Sequence, residues 1–125
     1  MTRYILEESR LHPAIRETVA SNHRDLVEEV MAAVARNPVV VVGMARNPFC
    51  RRARRMLDAH GVTYAYLEYG GYFRLWRRRN ALKMWTGWPT FPMVFVQGQL
   101  IGGAQDLGAL LGSGEFRQLL EKNVS

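Results

Sequence analysis

The fold of this chain is decided near its middle, where residues 39–50 read VVVVGMARNPFC. Four consecutive valines are β-branched and apolar, and they predict a strand buried on both faces, as in the centre of a mixed or parallel sheet. Asn47-Pro48 follows after a short loop, and proline is well suited to the first turn of a helix. The stretch therefore predicts a central strand that leads directly into a helix carrying Cys50.

Two helices are predicted before this strand. His12-Pro13 is expected to start a short helix in an N-terminal arm, and Ser21 or Asn22 to cap a longer one. The longer helix should stop at Asn37, because a residue before proline avoids the α region. We expect an arm over residues 1–23 and a domain over residues 24–125.

Downstream, the pattern predicts a strand over 62–68, a helix over 72–85, and a hairpin over 93–101 that turns at Gln97-Gly98. Two short helices follow. This order of helices and strands predicts a three-layer α/β sandwich.

Composition narrows the class of protein. The chain has 125 residues, which suits one domain, and a single cysteine, which excludes an intramolecular disulfide and a zinc site of the multi-cysteine kind. No apolar run approaches the roughly 20 residues needed to cross a bilayer. The first 20 residues mix charged and apolar side chains, so we expect no secretory signal and a cytoplasmic protein.

The chain is basic, with a formal net charge of +6. Its arginines are concentrated in two groups, Arg51, Arg52, Arg54, Arg55 and Arg74, Arg77, Arg78, Arg79. They form either two solvated helix faces or a surface for an acidic partner, and both interpretations stay open. No nucleic-acid-binding motif accompanies the charge, so nucleic acid is not an expected partner.

Four segments, in order along the chain, resemble the glutaredoxin family. Asn47-Pro48-Phe49-Cys50 stands where dithiol glutaredoxins carry Cys-Pro-Tyr-Cys, and residues 88–92 read WPTFP, as in the monothiol branch. Residues 102–106 read GGAQD and match the turn before the last helices, and the long helix ending at Asn37 also resembles the monothiol branch. The resemblance covers about residues 24–120. It implies a thioredoxin-like α/β/α sandwich with a four-stranded mixed sheet and an N-terminal helical extension.

The resemblance also implies a glutathione groove. The matching residues are Arg79, Thr90, Phe91, Pro92, Gly103 and Asp106. Pro92 would follow a cis peptide bond, so that the main chain of Phe91 pairs with a peptide-like ligand. Gly103 would allow close approach, Asp106 would accept from the amino group of glutathione, and Arg79 would bind the glycine carboxylate.

The family's attacking cysteine is Asn47 in this chain. Thiol–disulfide exchange needs a thiolate, which an amide cannot supply, so we expect weak or absent disulfide reductase activity. The monothiol branch also holds an iron–sulfur cluster through that cysteine and glutathione. We therefore expect no metal site and no cluster of this kind.

Cys50 stands at the position of the second, resolving cysteine, and two interpretations stay open. It is either a small buried residue in the first turn of a helix, or a displaced nucleophile whose pKa is lowered by the helix N-terminus and by Arg51. The second interpretation requires an exposed thiol.

Three hypotheses for function follow. The chain is a glutathione-linked redox enzyme acting through Cys50, or a non-catalytic module that binds glutathione, a thiol peptide or an acidic protein. The third hypothesis is an assembly role, in which the N-terminal arm packs on a second copy and forms a homodimer.

Overall fold

A four-stranded sheet forms the centre of the protein, as seen in a computed structural model that describes residues 3–70 and 76–121. Its strands are β1 (Val39–Gly43), β2 (Ala65–Glu68), β3 (Met93–Val96) and β4 (Gln99–Gly102). The spatial order is β2-β1-β3-β4, with β1 parallel to β2 and the other neighbours antiparallel. The predicted mixed sheet is confirmed, and all four valines of the central strand are buried.

Helices cover both faces of this sheet. They are α1 (Pro13–Ser21), α2 (Arg24–Arg36), α3 (Pro48–Ala59), α4 (Trp76–Thr86), α5 (Ala104–Ser113) and α6 (Glu115–Glu121), after a short 3-10 helix at Glu8–Arg10. Val40 and Val42 pack in one core with residues of α2 and α4. Val39 and Val41 pack in a second core with residues of α3, α5 and α6. Because successive side chains of a strand point to opposite faces, β1 contributes to both cores, and the predicted three-layer sandwich is confirmed.

The helices before β1 follow the prediction, except at one cap. Helix α1 begins after His12, whose Nδ1 accepts from the main-chain N–H of Ala14 (3.0 Å), and α2 ends before Asn37. The prediction that Ser21 or Asn22 caps α2 is wrong. Ser21 still belongs to α1, where its hydroxyl donates to the carbonyl of Glu17, and α2 starts after His23 in a left-handed conformation.

The later elements agree with the prediction where the structure describes them, except that β2 begins at Ala65 and not at residue 62. Residues 72–75 of the predicted third helix, including Arg74, lie outside the described residues, and the described part of that helix is α4. The hairpin turns at Gln97 and Gly98, which both have positive φ, as a tight two-residue turn requires. No helix within residues 3–70 or 76–121 combines the length and apolar character needed to span a membrane.

Candidate functional site

A groove of about 280 Å³ opens where three chain segments meet. The N-terminus of α3, the loop before β3 and the start of α5 line it through Phe49, Arg52, Trp88, Thr90, Phe91, Pro92, Gly103, Ala104, Gln105 and Asp106. The volume is just below the range of about 300–1,000 Å³ that is typical of small-molecule sites. The structure therefore brings together five of the six predicted glutathione-binding residues, and only Arg79 is not among the groove's lining residues.

Helices α3 and α5 lie side by side behind the groove. A Cβ added to Gly108 of α5 would lie 3.4 Å from the sulfur of Met56 in α3, so the two helices make close contact there. Both helices have their N-terminal residues in the groove lining. Since the N-terminal end of a helix carries partial positive charge, this arrangement favours anionic groups of a ligand.

The peptide bond between Phe91 and Pro92 is cis, as predicted. Pro92 and Gly103 face each other in the groove, because a Cβ added to Gly103 would lie 3.5 Å from the carbonyl oxygen of Pro92. The same added atom would lie 3.8 Å from Nε1 of Trp88, a buried donor without an acceptor in the described part of the chain. Glycine at this position keeps the groove open beside that donor.

Asn47 caps helix α3. Its side-chain Oδ1 accepts hydrogen bonds from the main-chain N–H groups of Phe49 (2.9 Å) and Cys50 (3.1 Å), and the residue is only 9% exposed. Asparagine is among the best N-cap residues because its side chain satisfies N–H groups that have no partner within the helix. Asn47, the residue at the predicted nucleophile position, thus stabilises the helix start.

The Cys50 side chain is 1% exposed. A Cβ added to Gly43 would lie 3.0 Å from its sulfur and 2.8 Å from Oη of Tyr66, so the thiol packs against the end of β1, near the Tyr66 side chain. Burial raises the pKa of this thiol, a main-chain hydrogen bond with Met44 lowers it, and the charge of nearby Glu68 raises it further. The structure therefore shows a buried thiol with a raised pKa, whereas the nucleophile hypothesis requires an accessible thiol with a lowered pKa.

Arg79 lies in α4 and is 7% exposed. Its Nη1 donates to the main-chain carbonyl of Tyr69 (3.1 Å), which follows β2, so the guanidinium connects α4 to the end of that strand. The structure does not bring Arg79 to the groove described above. Its role toward a ligand carboxylate stays a prediction.

Asp106 anchors the start of α5. Its Oδ2 accepts from the main-chain N–H of Gly103 (2.9 Å), which satisfies one of the free donors at this helix start. Gly102 has φ +118, and a Cβ there would collide with the Asp106 carboxylate. Asp106 is nevertheless exposed at the groove, so its carboxylate remains accessible to a ligand.

Phe49 and Arg52 line the groove although neither was predicted as a groove residue. The helical spacing of apolar residues in α3 predicts that Phe49 packs in the core or at its rim, and the side chain is 58% exposed. Phe49 and Arg52 are three residues apart on α3, so they are neighbours on one helix face, and this spacing is the signal that would have grouped them.

The described residues form no metal site. Within residues 3–70 and 76–121, no three His, Cys, Asp or Glu side chains come close enough together to hold an ion.

Comparisons with known proteins agree with this geometry. Residues 39–101 match the family model for glutaredoxin. A glutaredoxin-like protein from Dictyostelium discoideum is 44% identical over 108 residues, which cover 86% of this chain and 88% of that protein. A wheat glutaredoxin structure is 29% identical with a TM-score of 0.69, covering 82% of this chain and 95% of that one. A buckwheat glutaredoxin–glutathione complex is 25% identical with a TM-score of 0.70, covering 85% and 93%. With this fold, this groove and these relatives, the chain belongs to the glutaredoxin family of the thioredoxin superfamily.

Proposed function

We propose that this protein binds glutathione or a thiol peptide in the groove and has weak or no disulfide reductase activity. A thiol redox role is the general function of the family. The proposal of weak or absent reductase activity rests on the hydrogen bonding of Asn47. At the predicted nucleophile position, its amide oxygen accepts from the main-chain N–H groups of both Phe49 and Cys50. A side chain engaged in this way supports the helix and offers no thiol for chemistry.

The groove residues fit a peptide-like ligand. The cis Phe91-Pro92 bond, the open space over Gly103 and the exposed Asp106 carboxylate lie together in one groove. Nε1 of Trp88 is a buried donor without a protein acceptor in the described chain, and a ligand carbonyl or a water molecule would supply one. The buckwheat relative was solved with glutathione, which supports the same class of ligand here.

The reductase step needs a thiolate that attacks one sulfur of a disulfide, forms a mixed disulfide and releases the other sulfur as a thiolate. Asn47 cannot attack. Cys50 is buried with a raised pKa, so its thiolate fraction at neutral pH is small and its access to a substrate disulfide is poor. An iron–sulfur cluster does not fit this site either, because neither an amide oxygen used as a helix cap nor a buried thiol offers a thiolate ligand.

Turnover of a glutathionylated peptide with glutathione tests the catalytic part of the proposal. We expect no turnover above background for the wild type and for Cys50→Ser, and measurable turnover for Asn47→Cys. Asn47→Ser is the matched control, because serine caps the helix without supplying a thiol. Wild-type turnover that disappears in Cys50→Ser would overturn the proposal and make Cys50 the nucleophile.

Calorimetric titration with S-methylglutathione tests the binding part, because the blocked sulfur prevents any exchange reaction. We expect saturable binding at millimolar or lower concentration. Absence of binding at that concentration would count against the groove as a glutathione site.

We also propose a second role, assembly through a second copy of the chain. Helix α1 buries no residue, and large apolar side chains of the arm and α1 are exposed, namely Tyr4, Ile5, Leu6, Ile15 and Val19. Apolar side chains at helical spacing gain free energy when another surface covers them. Analytical ultracentrifugation should show a dimer that becomes a monomer when residues 1–20 are removed. An oligomeric state that the truncation leaves unchanged would exclude this role.

A further inference from the structure

Three arginines form one exposed face of helix α3. Arg51, Arg52 and Arg55 are exposed, and at about 100° per residue they lie within an arc of about 100° around the helix axis. Among residues 3–70 and 76–121, none of the three takes part in an ion pair. No ion pair within the described chain therefore neutralises these three residues, which we call the arginine face.

This arrangement of charge is unfavourable for the helix itself. Arg51 lies in the first turn of α3, where the partial positive charge of the helix end repels a cation. Arg55 follows Arg51 by four residues, so the two like charges are neighbours on the helix surface. Helix α2 shows the opposite pattern, because Arg24 pairs there with Glu28, four residues later, at 3.1 Å. An anionic partner would offset the repulsion within the arginine face.

The arginine face borders the groove. Arg52 lines the groove beside Phe49, whose exposed ring offers an apolar contact at the same helix end. A fourth arginine, Arg46, is exposed in the loop directly before the capped start of α3. Asp106 of α5 also lines the groove and carries the opposite charge. A ligand in the groove therefore meets positive charge on the side of α3 and negative charge on the side of α5.

We infer that the groove and the arginine face together bind protein segments in which acidic residues flank a cysteine. This inference rests on the proposed function, because the groove holds the cysteine and its neighbouring main chain. It adds the class of segment that the site selects. Carboxylates of the segment pair with Arg51, Arg52 and Arg55, since arginine binds a carboxylate through two parallel N–H groups.

A protein segment fits this surface better than a nucleic acid does. Every nucleotide carries a phosphate, so a strand that follows the groove would bring negative charge to the Asp106 carboxylate. A protein segment can carry its acidic residues beside the arginine face and uncharged residues beside Asp106. The exposed ring of Phe49 is of the aromatic type that is enriched in protein–protein contacts.

Calorimetric titration of the full chain with two matched peptides tests the inference. The acidic peptide is acetyl-Glu-Glu-Cys-Glu-Glu-amide and the neutral one is acetyl-Gln-Gln-Cys-Gln-Gln-amide, both with a methylated sulfur that prevents exchange. The wild type should bind the acidic peptide about eightfold more tightly, because an exposed ion pair contributes about twofold and three arginines are available. The preference should shrink at about 0.5 M salt, because salt screens exposed charges.

A double variant identifies the arginine face as the source of this preference. Arg51→Gln/Arg55→Gln removes two charges that do not line the groove, and it should reduce the preference to about twofold. The matched control is Arg10→Gln/Arg36→Gln, which removes two exposed charges from the arm and from the end of α2. The control should keep the preference of the wild type.

The stability of the same two variants is a second readout. Arg51→Gln/Arg55→Gln should raise the urea midpoint by about 0.3 M, because it removes like-charge repulsion along α3 and at its N-terminal end. The control should not raise the midpoint, because Arg36 lies in the last turn of α2, where the helix end favours a cation. If the midpoint of Arg51→Gln/Arg55→Gln does not rise, the arginine face carries no electrostatic cost and the inference loses its basis.

The outcomes separate the inference from the proposed function. If the wild type binds neither the two peptides nor S-methylglutathione, both are overturned. If it binds S-methylglutathione without preferring the acidic peptide, or if the control loses the preference to the same extent, the inference is overturned and the proposed function stands. A single-stranded oligonucleotide that binds more tightly than the acidic peptide, and loses affinity in Arg51→Gln/Arg55→Gln, would assign the arginine face to nucleic acid and overturn the inference.

Discussion

Replacing Asn47 with alanine should destabilise the protein through the loss of one helix cap. The change removes the Oδ1 atom that accepts from the main-chain N–H groups of Phe49 at 2.9 Å and Cys50 at 3.1 Å. Within the described residues, no other side chain accepts a hydrogen bond from these two donors. The variant tests directly whether Asn47 has a structural role at the start of α3.

The expected loss can be worked out from the burial of the two donors. Substituting an N-cap asparagine with alanine costs about 0.5–2 kcal/mol. Asn47 is nearly buried and the N–H of Cys50 is buried, so water cannot fully replace the lost acceptor. We therefore expect the upper half of the range, about 1.5 kcal/mol of the free energy of unfolding. With a urea m-value of about 2 kcal/mol/M, the midpoint should fall by about 0.75 M.

Urea unfolding followed by far-UV circular dichroism measures this change. Asn47→Ser is the control, because serine is a comparably good cap and should stay within about 0.5 kcal/mol of the wild type. The m-value should be the same for all three proteins. If Asn47→Ala unfolds at the wild-type midpoint, or if Asn47→Ser loses as much as Asn47→Ala, the capping role assigned to Asn47 is wrong.

Three further predictions concern the surroundings of the groove and the core. Burial raises the pKa of Cys50 in the folded state, so the unfolded chain releases that proton first. As the pH rises above about 8.5, the wild type should therefore lose stability relative to Cys50→Ala, and urea titrations at several pH values would contradict this if the two curves stayed parallel. Gly102→Ala should lower the free energy of unfolding by about 2 kcal/mol and weaken S-methylglutathione binding, because φ is +118 and the new Cβ would meet the Asp106 carboxylate. An unchanged melting temperature would refute this prediction. The hydroxyl of Tyr69 donates to the Glu29 carboxylate (2.5 Å), so Tyr69→Phe should cost about 1 kcal/mol, and the effect should disappear in a Glu29→Gln background if this contact is the cause.

The sequence by itself determined the layers of the fold. Four β-branched apolar residues in a row are compatible with a strand between two helical layers, and β1 indeed contributes Val40 and Val42 to one core and Val39 and Val41 to the other. Prolines after Asn37 and Asn47 marked the end of α2 and the start of α3, because proline restricts the residue before it and suits a first helical turn. These properties are local, so they can be recognised without any knowledge of the neighbours in space.

The groove was predictable in part for the same reason. Thr90, Phe91 and Pro92 are consecutive, and Gly103 and Asp106 are separated by a single helical turn. Most of the predicted site residues therefore lie in two short segments of sequence. The cap at Asn47 also follows from a local preference. The sequence did not predict that its side-chain oxygen would serve the two N–H groups of Phe49 and Cys50, because that depends on the conformation of the loop after β1.

Only the tertiary structure decided which side chains are accessible. It buried the thiol of Cys50 beside β1, connected Arg79 to the carbonyl of Tyr69, exposed Phe49 and brought Arg52 into the groove. Periodicity tells which residues share a helix face, but not which neighbouring elements cover that face. The exposure of a side chain, its pKa and its distance from other charges depend on those neighbouring elements. These three properties determine whether this family member binds a ligand, reacts with it or does both.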